Sequence, residues 1–410
     1  ITLAQVLDDN GLDASSEDFG RAFRETKYPL WHANLSARRA LRRGVPAHLS
    51  GSPTYNIHAN DIDFQIESDF IGLMSPGLPQ LSNEISLRTG RVLNHGDGIY
   101  GGMFISGMYT AAFFEQEAEA IVRAGLAVLP QQSDYANVIK DVLLWWQQSP
   151  EDWKSVWQMI HDKWNQGEMC PEGAEQAFNI DAKINGAFVA LGLLYGAGDF
   201  EKTMIIATSA GQDSDCNPSS ALGILGVVLG YEKIPEKFTS GIDAIADKKF
   251  IYTDYSLNKI VESSLMRAVL TIKKYGGYVK NGKAHILRQS SEPALLQTWS
   301  GHGKVKEQLG YDDVRWQWAG GWDSKNMKIW LYEHRANFSN RKNAQATINF
   351  KGTGVVLKGI LLADGGLADV YLDGKYMQTI DVYPDEDIAK PNESLCHNFG
   401  LKDKEHILEI

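Results

Sequence analysis

The hydrophobic period of this chain changes once, near residue 280, and that change limits the folds open to it. From residue 1 to about 275, apolar residues recur at spacings of three and four, as on a helix with one face in a core. Further on, "QATINFKGTGVVLKGILLADGGLADVYLDGKYMQTIDVY" alternates with period two and turns at "KGTG", "DGG" and "DGK". A length of 410 residues can bury more than one core. The expected fold class is therefore multidomain α and β: an all-α domain over residues 1–278, then a β-sandwich over 279–410 with "EHILEI" as its last strand.

Within the first part, "SSEDFGRAFRETKYPLW" opens with a Ser/Glu capping pattern. "SPEDWKSVWQMIHDKWNQ" repeats it at Ser149, with Pro150 expected in the first turn. The aromatic stretch "LLQTWSGHGKVKEQLGYDDVRWQWAGGW" is assigned to the second domain. A net charge of -11 argues against a nucleic-acid partner, which needs a basic face. No apolar run approaches the roughly 20 residues of a membrane span. Cys170, Cys216 and Cys396 lie far apart without a CxxC spacing, so neither a disulfide scaffold nor a thiolate zinc site is expected.

Residues 209–231, "SAGQDSDCNPSSALGILGVVLGY", carry the densest chemistry. A helix should stop at Gly211, and the next should begin between Cys216 and Ser219, leaving Asp213 and Asp215 on one tight turn. Like charges so close repel unless a cation or a ring of donors lies between them. Two readings are open on spacing alone. Either Asp215 caps the helix while Asp213 faces solvent, or both carboxylates hold a hard divalent ion, Mg²⁺ or Mn²⁺.

The stretch "NIDAKINGAFVALGLLYGAGDFEKTMIIATSAGQDSDCNPSSALGILGVVLGYEKIPEKF" resembles the carboxy-terminal signature of the ADP-ribosylglycohydrolase family. That signature is a Gly-x-Asp-x-Asp-Thr turn, a Gly-rich helix and an Ile-Pro step. Here these are Gly211, Asp213, Asp215, the helix from Ser219, and Ile234-Pro235. The resemblance covers roughly residues 1 to 240. It implies an all-α fold, two magnesium ions held by this turn and by an amino-terminal Asp-Asp motif, and hydrolysis of glycosidic bonds of ADP-ribose. Cys216 replaces the family's Thr, and a neutral thiol is a poor Mg²⁺ ligand. Asp8-Asp9 stands at the wrong end of its helix, so the Asp-Asp motif is expected upstream of Ile1.

Where family members carry an Asn-Gly-x-x-Met-Arg stretch, this chain reads "HANDIDFQIESDFIGLMSPG". It offers Asn60, Gln65 and Glu67 as substrate contacts and Asp61 or Asp63 as the acid that takes a proton from water. Asp61 as a simple helix cap is the plainer reading. In "LNHGDGIYGGMF", His95 and Asp97 could act as base and orienter, with a structural His95 near the helix terminus as the plainer reading; Asp97 and Tyr100 are the expected sugar contacts, with Gln212 and Asn217 joining from the bend. Asp181 and Lys183 read as an ion pair on a solvated face.

The second domain resembles the galactose-binding-like modules attached to secreted carbohydrate enzymes. That resemblance makes Trp299, Trp316, Trp318 and Trp322 candidates for stacking on sugars, with core packing as the commoner fate. The combined expectation is a metal-dependent glycoside hydrolase acting on a small-molecule or oligosaccharide substrate, secreted or periplasmic rather than cytoplasmic. A true ADP-ribosyl hydrolase and a catalytically silent sugar-binding protein stand as alternatives.

Overall fold

Helices Asp97–Ala112 and Ala182–Gly196 have no polar face, and every residue of the second is buried. Helices of this kind are stable only inside a core, and the first unit is built around them. The computed structural model describes residues 1–166, 178–299, 301, 305–329 and 332–410; Cys170 lies outside these. The chain forms two compact units, the second beginning at Trp299.

Asp97–Ala112 packs against Pro79–Leu93, Ala118–Ala127 and the short helices Asp63–Glu67 and Asp69–Leu73. Ala182–Gly196 packs on Asp134–Gln148, Phe200–Ser209 and Cys216–Leu229. This helical architecture is the one the 3.6-residue period predicts. Two caps differ from expectation. The first capping box pairs Ser15 with Asp18, which bonds the Ser15 backbone at 2.9 Å, rather than with a glutamate. The later helix begins at Trp153 with Asp152 as its cap, so Ser149 and Pro150 lie before it.

Residues beyond the helices stay on the first unit after a short hairpin, Tyr278–Lys280 with Lys283–His285. Gln289 N donates to Gly77 O and Ala294 N to Val128 O, both at 2.9 Å.

The second unit is β-rich. Its five-stranded antiparallel sheet runs Gln317–Ala319, Gln345–Leu361, Lys390–Glu409, Leu367–Leu372 and Lys375–Asp381 in spatial order. Asp323–Ile329 and Tyr332–Phe338 form a separate hairpin. Ile348, Leu357, Val370, Leu372, Ile380, Cys396 and Leu408 supply its core, consistent with the sandwich expected from period-two alternation. Cys216 and Cys396 are both free thiols.

Candidate functional site

The bend between the Phe200–Ser209 and Cys216–Leu229 helices turns through two left-handed residues, Gly211 (φ 86) and Gln212 (φ 57). Glycine adopts this conformation freely, whereas Gln212 needs outside support. Asn179 N supplies it by donating to Gln212 Oε1 at 2.7 Å. The bend inverts the plainer of the two readings from sequence. Asp213 is the buried residue and Asp215 the exposed one, and the Asp215 side chain makes no capping hydrogen bond to its helix.

Asn185, in the first turn of Ala182–Gly196, grips the bend. Its Oδ1 accepts from Asp213 N at 3.2 Å and from Asn217 Nδ2 at 2.8 Å. Its Nδ2 donates to Asn179 O and Asp181 O, both at 2.9 Å. Asp213, Asp215 and Cys216 place one ligand atom each within 4.8 Å of one another. Burial, then the hydrogen bond and charge of Asp215, push the Asp213 carboxyl up to about 6. The Cys216 thiol, raised by burial and by the two carboxylates, stays protonated and donates to Asp213.

These residues fit a hard divalent ion. Asn217 is 1% exposed, and its Oδ1 has no hydrogen-bond partner among the described residues, although a buried amide oxygen rarely goes unsatisfied. Two carboxylates supply oxygen donors, with the unpartnered Asn217 amide oxygen on the same bend, while a protonated thiol serves as a hydrogen-bond donor and not as a ligand. Asp69 was not singled out in the sequence. It is bonded by Tyr109 and Ser220, burial raises it to about 6, and its charge reaches Cys216. Its only signal was its place in the acidic "ESDF" run.

The acidic stretch after His58 is pinned to the same helix entry. Ile62 N donates to Ile180 O and Ala182 N to Asn60 O, each at 2.9 Å, around an antiparallel bridge between Asp61 and Asp181. Asp61 does not cap a helix: its Oδ2 meets His58 Nδ1 at 2.6 Å. Asp63 accepts from Ala33 N at 3.3 Å and Asn34 N at 3.1 Å, across at the start of the His32–Arg42 helix. Burial raises Asp63 to about 6. Glu67 is raised to about 7 by burial and by Asp63, and accepts from Asn34 Nδ2 at 2.7 Å. Asn60 is half-buried, and the Gln65 amide bonds the buried Tyr135 hydroxyl at 2.7 Å, so Gln65 is a packing residue as much as a contact.

Asp97 accepts from Tyr135 N at 3.3 Å, and burial, opposed by Lys183 and reinforced by Asp181 and Asp134, raises it to about 7. His95 is half-buried, with its N–H on Ala59 O at 3.0 Å. The Tyr100 hydroxyl is already engaged, accepting from Gln297 N at 2.5 Å. The Asp181–Lys183 pair exists at 2.9 Å but is buried, at 2% and 5% side-chain exposure, which corrects the solvated-face reading. The sequence pattern missed His32, His58 and the grip of Asn185; His32 and Asn185 act across distant parts of the chain, whereas His58 lies only three residues before its partner Asp61.

In the second unit, Trp316 and Trp318 stack at 5.0 Å and Trp322 meets Trp318 edge-on at 4.8 Å. Trp299 packs edge-on against Phe399. All four are half-buried, a state between the two fates considered for them. No helix among the described residues is long and apolar enough to cross a membrane.

No curated protein sequence matches this chain. The family model for ADP-ribosylglycohydrolase, by contrast, matches residues 1–268, well over half its length. With the acidic bend and the helical core in place around that match, the chain belongs to the ADP-ribosylglycohydrolase family of hydrolases.

Proposed function

We propose that the protein is a divalent-metal-dependent glycoside hydrolase whose substrate is a neutral, hydroxyl-rich saccharide. The observation that carries this reading is a common anchor: the 211–217 bend and the 60–67 acidic stretch are both fastened to the first turn of Ala182–Gly196.

Asp213 and Asp215, with the Asn217 amide oxygen, would hold the ion. Bound there, Mg²⁺ or Mn²⁺ supplies Lewis-acid polarisation of a sugar hydroxyl and of water. Asn185 fixes the peptide of Asp213, so the carboxylate is oriented before any ligand arrives. Asp63, raised to about 6 by burial, takes the proton of the attacking water as its oxygen bonds to the anomeric carbon and the glycosidic bond breaks, and the departing alcohol oxygen is protonated from solvent. Asp61 is engaged by His58 and is the weaker choice for that step. Asn60, Glu67, Asp97 and Gln212 offer hydrogen-bonding groups suited to hydroxyls.

Charge supports this substrate class. Asp61, Asp97 and Asp181 gather at this helix entry, and Lys183 is already paired with Asp181. Where the bound ion does not offset these charges, a pyrophosphate meets repulsion that a neutral sugar does not. The stacked tryptophans of the second unit suit the same ligand class.

The test is turnover by the full chain with Mg²⁺ on a panel of oligosaccharides and on ADP-ribosylated substrates, beside calorimetric titration with ADP-ribose. Sugar release that drops about 10²-fold or more in Asp63→Asn supports the reading. Release of ADP-ribose with tight ADP-ribose binding would move the substrate to the ADP-ribosyl class. Sugar binding without any turnover would make this a binding protein.

A further inference from the structure

Two imidazoles and a carboxylate converge in a second cluster, formed by His32, His58 and Asp61. One ligand atom from each lies within 4.8 Å of the other two. His58 and Asp61 are 2% and 0% exposed, and His32 is half-buried with its ring edge-on to that of His58 at 5.8 Å. The cluster shares no residue with the oxygen-lined bend, the other such group among the described residues.

The protonation pattern follows from one short contact. An ionised carboxylate can only accept, so the 2.6 Å contact between Asp61 Oδ2 and His58 Nδ1 places a proton on Nδ1. A metal ion that takes both His58 Nδ1 and an Asp61 oxygen as ligands displaces that proton, because the two atoms already lie side by side. The other oxygen, Asp61 Oδ1, is buried without a hydrogen-bond partner among the described residues. A buried carboxylate oxygen left unpaired is costly, and a cation at that point would offset the cost.

The backbone holds the third donor in an uncommon conformation. His32 has φ 47, and the next two N–H groups donate to Asp63 at 3.3 and 3.1 Å. A non-glycine residue persists there only when its surroundings fix it.

We infer that His32, His58 and Asp61 form a second metal site, selective for a borderline transition ion such as Zn²⁺, Co²⁺ or Fe²⁺ over Mg²⁺. Two imidazole nitrogens and one carboxylate oxygen form the donor set of such ions and leave coordination positions open to water. Mg²⁺ takes oxygen ligands and avoids this set. The donors differ from those of the bend, so ion binding here is read separately from binding at the bend.

The experiment is a Co²⁺ titration of the chelator-stripped full chain, with Mg²⁺ in excess to occupy the bend. The readouts are the visible Co²⁺ ligand-field band and metal stoichiometry by mass spectrometry. We expect one Co²⁺ per chain, with affinity reduced about 100-fold or more in His32→Ala and in His58→Asn, exceeding the usual effect of losing an outer-shell partner. Asp213→Asn should leave the band intact. His32 is only half-buried, so His32→Ala decides the matter if His58→Asn does not fold, with circular dichroism as the check on folding. No band under excess Mg²⁺, or a band that survives His32→Ala and vanishes in Asp213→Asn, would overturn the assignment.

Discussion

Asn185 Oδ1 accepts the backbone N–H of Asp213 at 3.2 Å while the same oxygen accepts Asn217 Nδ2 at 2.8 Å. A single buried amide thus sets both the peptide and one flank of the acidic bend. Asn185→Ala removes these bonds and two more from Nδ2. We expect a loss of about 2–4 kcal/mol of stability, at roughly 1 kcal/mol per bond. Mn²⁺ affinity should fall at least about tenfold, a loss of about 1.4 kcal/mol. Urea denaturation and a Mn²⁺ titration read the two effects separately, and unchanged Mn²⁺ affinity in a folded variant would contradict the grip.

The raised Asp213 carboxyl gives metal binding a pH dependence of definite sign. Its folded value, about 6, lies above the model-compound 3.8. A raised carboxyl stabilises the metal-free fold fully below 3.8, and that contribution is lost as pH rises through about 6. A divalent ion favours the deprotonated form and reverses the trend. The increase in thermal midpoint on adding Mn²⁺ should therefore grow between about pH 5 and pH 7 and level off above. A constant increase across that range would contradict it.

Close approach explains one glycine of the 216–229 helix. A Cβ at Gly223 would lie 1.9 Å from the Tyr109 hydroxyl oxygen but 3.1 Å from the nearest ring carbon. Gly223→Ala should cost about 1–3 kcal/mol by overpacking. Adding Tyr109→Phe should recover most of that, after allowing for the hydrogen bond Asp69 loses. A double-mutant cycle in urea measures the coupling, and simple additivity would show that the contact is not the cause.

Burial of the Asp181–Lys183 pair sets its energetics. Lys183→Met leaves the Asp181 charge, 2% exposed, without its cation. The expected cost is about 3–5 kcal/mol. Removing both charges with Asp181→Asn and Lys183→Met together should cost less than the single change. Chemical denaturation decides it.

Much of the fold was legible because it depends on local periodicity. The 3.6-residue period marked the helical unit, and period two with Gly-containing turns marked the β-rich one. The bend was legible for the same reason, since Gly211, Asp213 and Asp215 are neighbours in sequence. What spacing does not encode is which carboxylate the fold buries. Asp213 goes inside because Asn185, 28 positions earlier, holds its peptide. His32 escaped for a related reason: it meets His58, 26 positions on, where Asp63 bonds the start of the His32–Arg42 helix. Pro150 and Ser149 misled because a stronger cap, Asp152, follows them.

The account rests on a divalent ion neutralising the acidic bend. Crystals of the full chain grown with Mn²⁺, with diffraction recorded at the manganese absorption edge, test this most directly. The account predicts an anomalous peak within ligand distance of the Asp213 and Asp215 carboxylates, absent in Asp213→Asn. A bend with no peak at saturating Mn²⁺, and Asp215 turned to bulk water, would contradict it.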